Sequence, residues 1–240
     1  EAFAQELNQT GIQTLVLECN VTDERVCQIA MQKIVETFGS IDVLINNAGI
    51  TQRSAFEQTQ IGVFRKVLEV NFFGALHCTK AALPALINTQ GLIVVMSSIA
   101  GFSPLFGRSG YSASKHALHG LFESLRCELK AQGVRVMMVC PGFTATDIEK
   151  NALDGDGRPT THPRSATGKI ATPDEVAEAA LGLVELDREA EPGLEHVVLV
   201  ADVVAPVAIA LLEAQHVHRM HAHRLHAEVL AGPGQGLVEL

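Results

Sequence analysis

One tyrosine, Tyr111, occurs in the 240-residue sequence, and Lys115 follows it four positions later. Side chains four apart on a helix share a face. Tyr111, Lys115, Leu118, Phe122, Leu125 and Leu129 fall on one stripe at 3.6-residue spacing. A lysine on a stripe that faces the protein interior is costly unless it is paired, although near a helix start it can snorkel to water. The tyrosine supplies a chemical use for it. A phenol titrates near pH 10 and must fall by about three units, worth about 4 kcal/mol, to exchange protons near neutrality. An ammonium about 4 Å away in a partly buried site supplies about that much at an effective dielectric near 20. The pair therefore reads as a proton-transfer device.

The elements that must position it alternate regularly. Residues 14–19, 41–45, 92–96 and 134–140 read as strands, with 197–200 as a last one. Residues 23–38 read as a helix stopped by Gly39, with Val26, Ile29 or Ala30, and Ile34 on its buried side. Residues 64–87 read as helical, in two pieces with Pro84 as the kink, and 111–131 as a further helix. Apolar strands alternating with helices predict an α/β fold, a Rossmann-like, doubly wound parallel sheet in three α/β/α layers. Ligands in such sheets bind beyond the carboxyl ends of the strands. Asn46-Asn47-Ala48-Gly49, Ser97-Ser98 and Pro141-Gly142 stand there.

With these motifs in this order the sequence resembles the short-chain dehydrogenase/reductase family. The match rests on Asn46-Asn47-Ala48-Gly49 after a strand, Asn71 within Val70-Asn71-Phe72, and Ser98 thirteen residues before Tyr111. It continues with Tyr111-Ser112-Ala113-Ser114-Lys115 and Pro141-Gly142 followed by Thr146. The resemblance implies an NAD(P)-dependent oxidoreductase acting on a secondary alcohol or ketone. Tyr111 is the implied general acid/base, and Ser98 binds the same substrate oxygen. Lys115 lowers the tyrosine pKa and binds the nicotinamide ribose, and Asn71 kinks its helix and holds a water. Asn47, Ala48, Gly49, Pro141, Gly142 and Thr146 are the implied cofactor contacts, with Asn20 and Val21 beside the adenine. Residues 143–170 form the loop over a small-molecule alcohol or carbonyl substrate. The helices at 64–87 and 111–131 pair with their copies in a homodimer or homotetramer.

The resemblance implies a domain over 1–185, with 186–240 as an atypical His-rich tail. The family's opening turn, T-G-x-x-x-G-x-G, which seats the pyrophosphate at a helix N-terminus, does not occur in the sequence. The two strands around that turn are therefore expected to be missing, leaving a gap in the sheet and no partner for the strand at 14–19. The choice between NAD and NADP is not readable, and Asn20 stands where the family usually has Asp. The alternative reading is a truncated, inactive fragment that does not hold cofactor. A net charge of −9 argues against nucleic acid as the partner. Five scattered Cys read as reduced thiols in a cytoplasmic protein. The apolar stretch at 197–212, broken by Asp202 and Pro206, is too short for a membrane span. Five His between 216 and 226 share no helical face, so no metal site is expected.

Overall fold

A computed structural model describes residue 9, residues 13–161, residue 168, and residues 170–190, 196–201, 207–213, 228–229 and 238–239. Asp23 opens the first helix, α1 (Glu24–Phe38), by accepting hydrogen bonds from the N–H groups of Arg25 and Val26. Gly39 closes it at φ 87°, a conformation that glycine adopts without strain. Ala30 rather than Ile29 completes the buried face, and Ile29 is 58% exposed.

The strands are β1 (Leu17–Cys19), β2 (Val43–Asn46), β3 (Leu92–Met96), β4 (Arg135–Val139), β5 (His196–Ala201) and β6 (Val207–Glu213). They form one sheet in the order β1-β6-β5-β2-β3-β4. A separate pair, β7 (Glu228–Val229) and β8 (Val238–Glu239), is antiparallel. Strands β2, β3 and β4 are parallel and in step, with Asn46 opposite Val95 and Met96 opposite Val139. Their carboxyl ends therefore finish at one level. The expected gap beside β2 is absent. Strand β5 pairs with β2 in parallel, while β6 runs antiparallel between β5 and β1. The edges of β1 and β2 would otherwise present unpaired backbone groups, and this hairpin satisfies both. The stretch after residue 185 thus contributes to the sheet. The histidines at 216–226 lie outside the described residues.

Helices cover both faces, which gives the three layers. On one side lie α1, α2 (Ile61–Leu68), α3 (Gly74–Thr89) and α4 (Ser109–Glu128), with Ile34, Leu86, Ile93, Leu118 and Phe122 in the core between helices and sheet. Cys19, Cys27 and Cys78 meet there as free thiols, with Sγ–Sγ separations of 3.9 Å and 3.7 Å about Cys27. On the other side α5 (Pro173–Ala190) sets Val184 against Val43, Leu92 and Val94.

The stretch Ile61–Thr89 is the one described helical run long and apolar enough, by composition, to cross a membrane. Here it packs through Val63, Val67, Cys78, Ala82 and Leu86 into the protein interior. Its interruption falls not at Pro84 but at a π-helical turn, Glu69–Phe73. Pro84 sits inside α3 on an exposed face, where water can take the carbonyl that the ring leaves free. At the π turn the Asn71 amide reaches out of the helix. Its Oδ1 accepts from the Ile50 N–H at 2.8 Å, and its Nδ2 donates to the Ile50 carbonyl at 2.9 Å and the Ser114 hydroxyl at 2.9 Å. Gly74 follows because a Cβ there would stand 2.7 Å from the Val21 side chain.

The segment after β4 returns across the loop that follows β2. Arg53 N–H donates to the Leu153 carbonyl, Leu153 N–H to Thr51, and Gln60 N–H to Gly155. These main-chain bonds hold residues 143–161 beside the strand ends. Asn71 is 1% exposed. Replacing Asn71 by Ala leaves Ile50 and Ser114 without their partner in the interior. The expected loss of unfolding free energy in urea melts is about 1–3 kcal/mol. An unchanged midpoint would mean that those groups find other partners.

Candidate active site

Strand β3 ends at Met96, and the chain turns through Ser98, whose hydroxyl accepts from the Ala100 N–H at 3.2 Å and starts a short 3₁₀ turn. Helix α4 begins at Ser109, with Arg108 as the residue before it. Tyr111 therefore lies in the first turn, where helical N–H groups lack internal partners. The Tyr111 N–H finds one outside, donating to Gln52 Oε1 at 2.9 Å. Gln52 is fully buried, so the loop after β2 fixes the start of the helix.

Lys115, one turn on, is 4% exposed. Its Nζ donates to the Met96 carbonyl at 2.7 Å and stands 5.7 Å from the centre of the Tyr111 ring. Burial pulls its pKa down to about 8, with a weaker opposing influence from Cys140. Tyr111 is itself buried. Desolvation raises its pKa above the ordinary value, which is the reverse of the lowering expected from the sequence. A hydrogen bond from Ser98 and the charge of Arg108 pull it down, and Glu149 pushes it up.

One cavity gathers Asn47, Gly49, Ser98, Tyr111, Lys115, Pro141, Gly142 and Thr146. These come from the ends of β2, β3 and β4 and from the start of α4. Four other expected residues do not line it. Asn71 lies behind Gly49: a Cβ on that glycine would stand 3.5 Å from Asn71 Oδ1 and 3.8 Å from Lys115 Nζ. Ala48 packs against the core. Asn20 is exposed, and its Oδ1 accepts from the N–H and hydroxyl of Thr22, a local turn that leads into α1. Val21 is buried against Gly74, with its carbonyl 2.9 Å from His77 Nδ1.

The cavity also has walls that the motifs did not reveal. Leu105, Phe143, Ile148 and Val176 make it apolar, while Thr51, Arg108 and Glu149 add polar groups. Arg108 directly precedes the helix three residues before Tyr111, which is the signal that could have marked it. Nothing comparable marks Glu149. The donor set suits a nicotinamide cofactor at its nicotinamide end. An ammonium faces an open glycine backbone at Gly49, and Gly142 leaves clear space where a side chain would stand.

The family model for the short chain dehydrogenases matches residues 1–157. The dehydrogenase/reductase SDR family member 7B of Xenopus tropicalis is 37% identical over 189 residues, covering 76% of this chain and 61% of its own. The protein of the same name from Mus musculus is 41% identical over 146 residues, covering 60% and 45%. The chain thus spans 45–61% of the length of these curated relatives. Among solved structures, the alcohol dehydrogenase of the archaeon Thermococcus sibiricus, complexed with 5-hydroxy-NADP, superposes with a TM-score of 0.65 at 26% identity. That superposition covers 77% of this chain and 74% of the other. The family match, the mainly parallel sheet with helices on both faces and the cavity at its strand ends agree: the chain belongs to the short-chain dehydrogenase/reductase family.

Proposed function

We propose that the chain carries the catalytic site of an NAD(P)-dependent oxidoreductase that interconverts a secondary alcohol and a ketone, with Tyr111 as general acid/base. The observation that carries this reading is the meeting of Ser98, Tyr111 and Lys115 in one cavity at the carboxyl end of β3. The 5-hydroxy-NADP complex of the archaeal structure supports a nicotinamide cofactor.

Lys115, Asn47, Gly49, Pro141, Gly142 and Thr146 would hold the nicotinamide half. NAD or NADP, when bound, supplies or accepts the hydride. The rest belongs to the side chains. The Ser98 hydroxyl holds the substrate oxygen beside Tyr111. Tyr111 gives that oxygen its proton in reduction and removes it in oxidation. Lys115, desolvated and ready to exchange a proton near pH 8, binds ribose hydroxyls and favours the phenolate. Leu105, Phe143, Ile148 and Val176 keep water from the reacting carbon and suit an apolar substrate body. Asn71 acts from behind, holding Ile50 and the loop that carries Gly49.

The test starts with fluorescence titrations of the chain with NADPH and NADH, followed by turnover of secondary alcohols. Tyr111→Phe should lower turnover by about 10²–10⁴-fold and leave cofactor affinity within a few-fold. Near-normal turnover in that variant would remove Tyr111 from the role. A folded chain that binds neither cofactor would favour the alternative, a polypeptide that holds no cofactor by itself.

Lys115 gives a second test, through linkage. Its unfolded form keeps the proton up to the ordinary value of 10.5, and its folded form only up to about 8. Between these values the unfolded chain binds more protons, so stability contributed at this residue rises with pH. The stability of the wild type relative to Lys115→Met should grow from pH 7.5 to pH 10, by up to about 3 kcal/mol. A constant difference in urea melts would mean that Lys115 titrates as an exposed lysine.

A further inference from the structure

Two arginines and one glutamate meet beside Tyr111, and the mechanism above uses none of them. Arg108 Nη2 donates to Glu149 Oε2 at 2.6 Å, and Arg53 Nη2 donates to the same oxygen. Arg108 Nη1 also reaches the Thr51 hydroxyl at 3.3 Å. The Arg108 side chain is 6% exposed and that of Glu149 13%. Both line the cavity that holds the Tyr111 phenol. A surface ion pair contributes little, but charges held out of water act strongly on their neighbours. Loop closure alone would not require charge, because the main-chain bonds from Thr51, Arg53 and Gln60 already tie the same segments together.

We propose that Arg108 and Glu149 are positioning residues that set the ionisation of Tyr111, Arg108 favouring the phenolate and Glu149 opposing it. The inference deepens the proposed function and rests on Tyr111 as the proton carrier. Among the described residues, the charged and polar groups that act on the phenol come from four places. Lys115 comes from its own helix, Arg108 from the residue that precedes that helix, Ser98 from the turn after β3, and Glu149 from the segment after β4. Arg53 acts through Glu149, and Cys140 through Lys115. Opposite in charge, held largely out of water and lining the same cavity as Tyr111, Arg108 and Glu149 act on the phenol in opposite senses. The pair therefore works as a balance: a change to either side tips the tyrosine in a known direction.

The sequence offers a direct probe. It contains one Tyr and no Trp, so the near-ultraviolet absorbance of tyrosinate reports Tyr111 alone, without cofactor or turnover. Glu149→Gln keeps the shape and an acceptor oxygen but removes the charge. Its Tyr111 should ionise at lower pH than the wild type. Arg108→Met should ionise at higher pH, and Arg108→Lys should stay near the wild type. Circular dichroism at each pH checks that the fold persists, and a stopped-flow jump to alkaline pH reads the absorbance ahead of slower unfolding. Opposite displacements in the two charge-removing variants support the inference. Displacements of the same sign, or an unmoved Glu149→Gln, overturn it. If Arg108→Met does not fold, Glu149→Gln decides by itself. Failure here leaves the general acid/base reading intact, because that reading rests on turnover in Tyr111→Phe.

Discussion

The bond from Lys115 Nζ to the Met96 carbonyl ties α4 to the end of β3. It takes an amine out of water and holds it 5.7 Å from a buried phenol ring. Other features of the site serve that placement. The in-step register of β2, β3 and β4 brings three strand ends to one level. Gln52 fixes the first turn of α4, and Asn71 holds the loop that presents Gly49 to the lysine. Desolvation then acts on both ionisable groups at once, lowering the amine and raising the phenol. In water the two would differ in neither reactivity nor readiness from any exposed lysine and tyrosine.

Much of the sheet and its helices could be read from periodicity. The buried stripe of α4 through Tyr111, Lys115, Leu118 and Phe122 is an example, because a helix that packs on a sheet must present one apolar face. Periodicity could not choose between Ile29 and Ala30, which flank the same face, and the smaller residue is the one inside. Pro84 looked like the helix breaker because its effect is local. The interruption at Asn71 was implied by the family resemblance but not by periodicity, because it is held by Ile50, twenty-one residues away in sequence, and long-range bonds leave no local pattern. The hairpin that fills the sheet was similarly hidden, since its partners β1 and β2 lie far from it in the chain.

In the site, motif residues near strand ends converged as expected, with Ser98, Tyr111, Lys115, Gly49 and Pro141 in one cavity. The family resemblance set Asn20 and Val21 beside the adenine. In the structure the Asn20 side chain serves the turn into α1, and Val21 packs against Gly74 of α3. Arg108 and Glu149 were missed for a physical reason. An isolated charged residue in a sequence looks solvated until a partner from a distant segment buries it, and these two stand forty-one positions apart.

The segment that roofs the cavity is fastened at its outer edge by backbone groups, Leu153 to Thr51 and Arg53, and Gly155 to Gln60. Main-chain bonds of this kind do not depend on which side chains the segment carries. Residues of that segment such as Phe143 and Ile148 can therefore be exchanged by mutation without loosening the roof or disturbing the helix that bears Tyr111. The lining of the cavity can thus vary while the strand ends and the helix that bring Ser98, Tyr111 and Lys115 together stay in place.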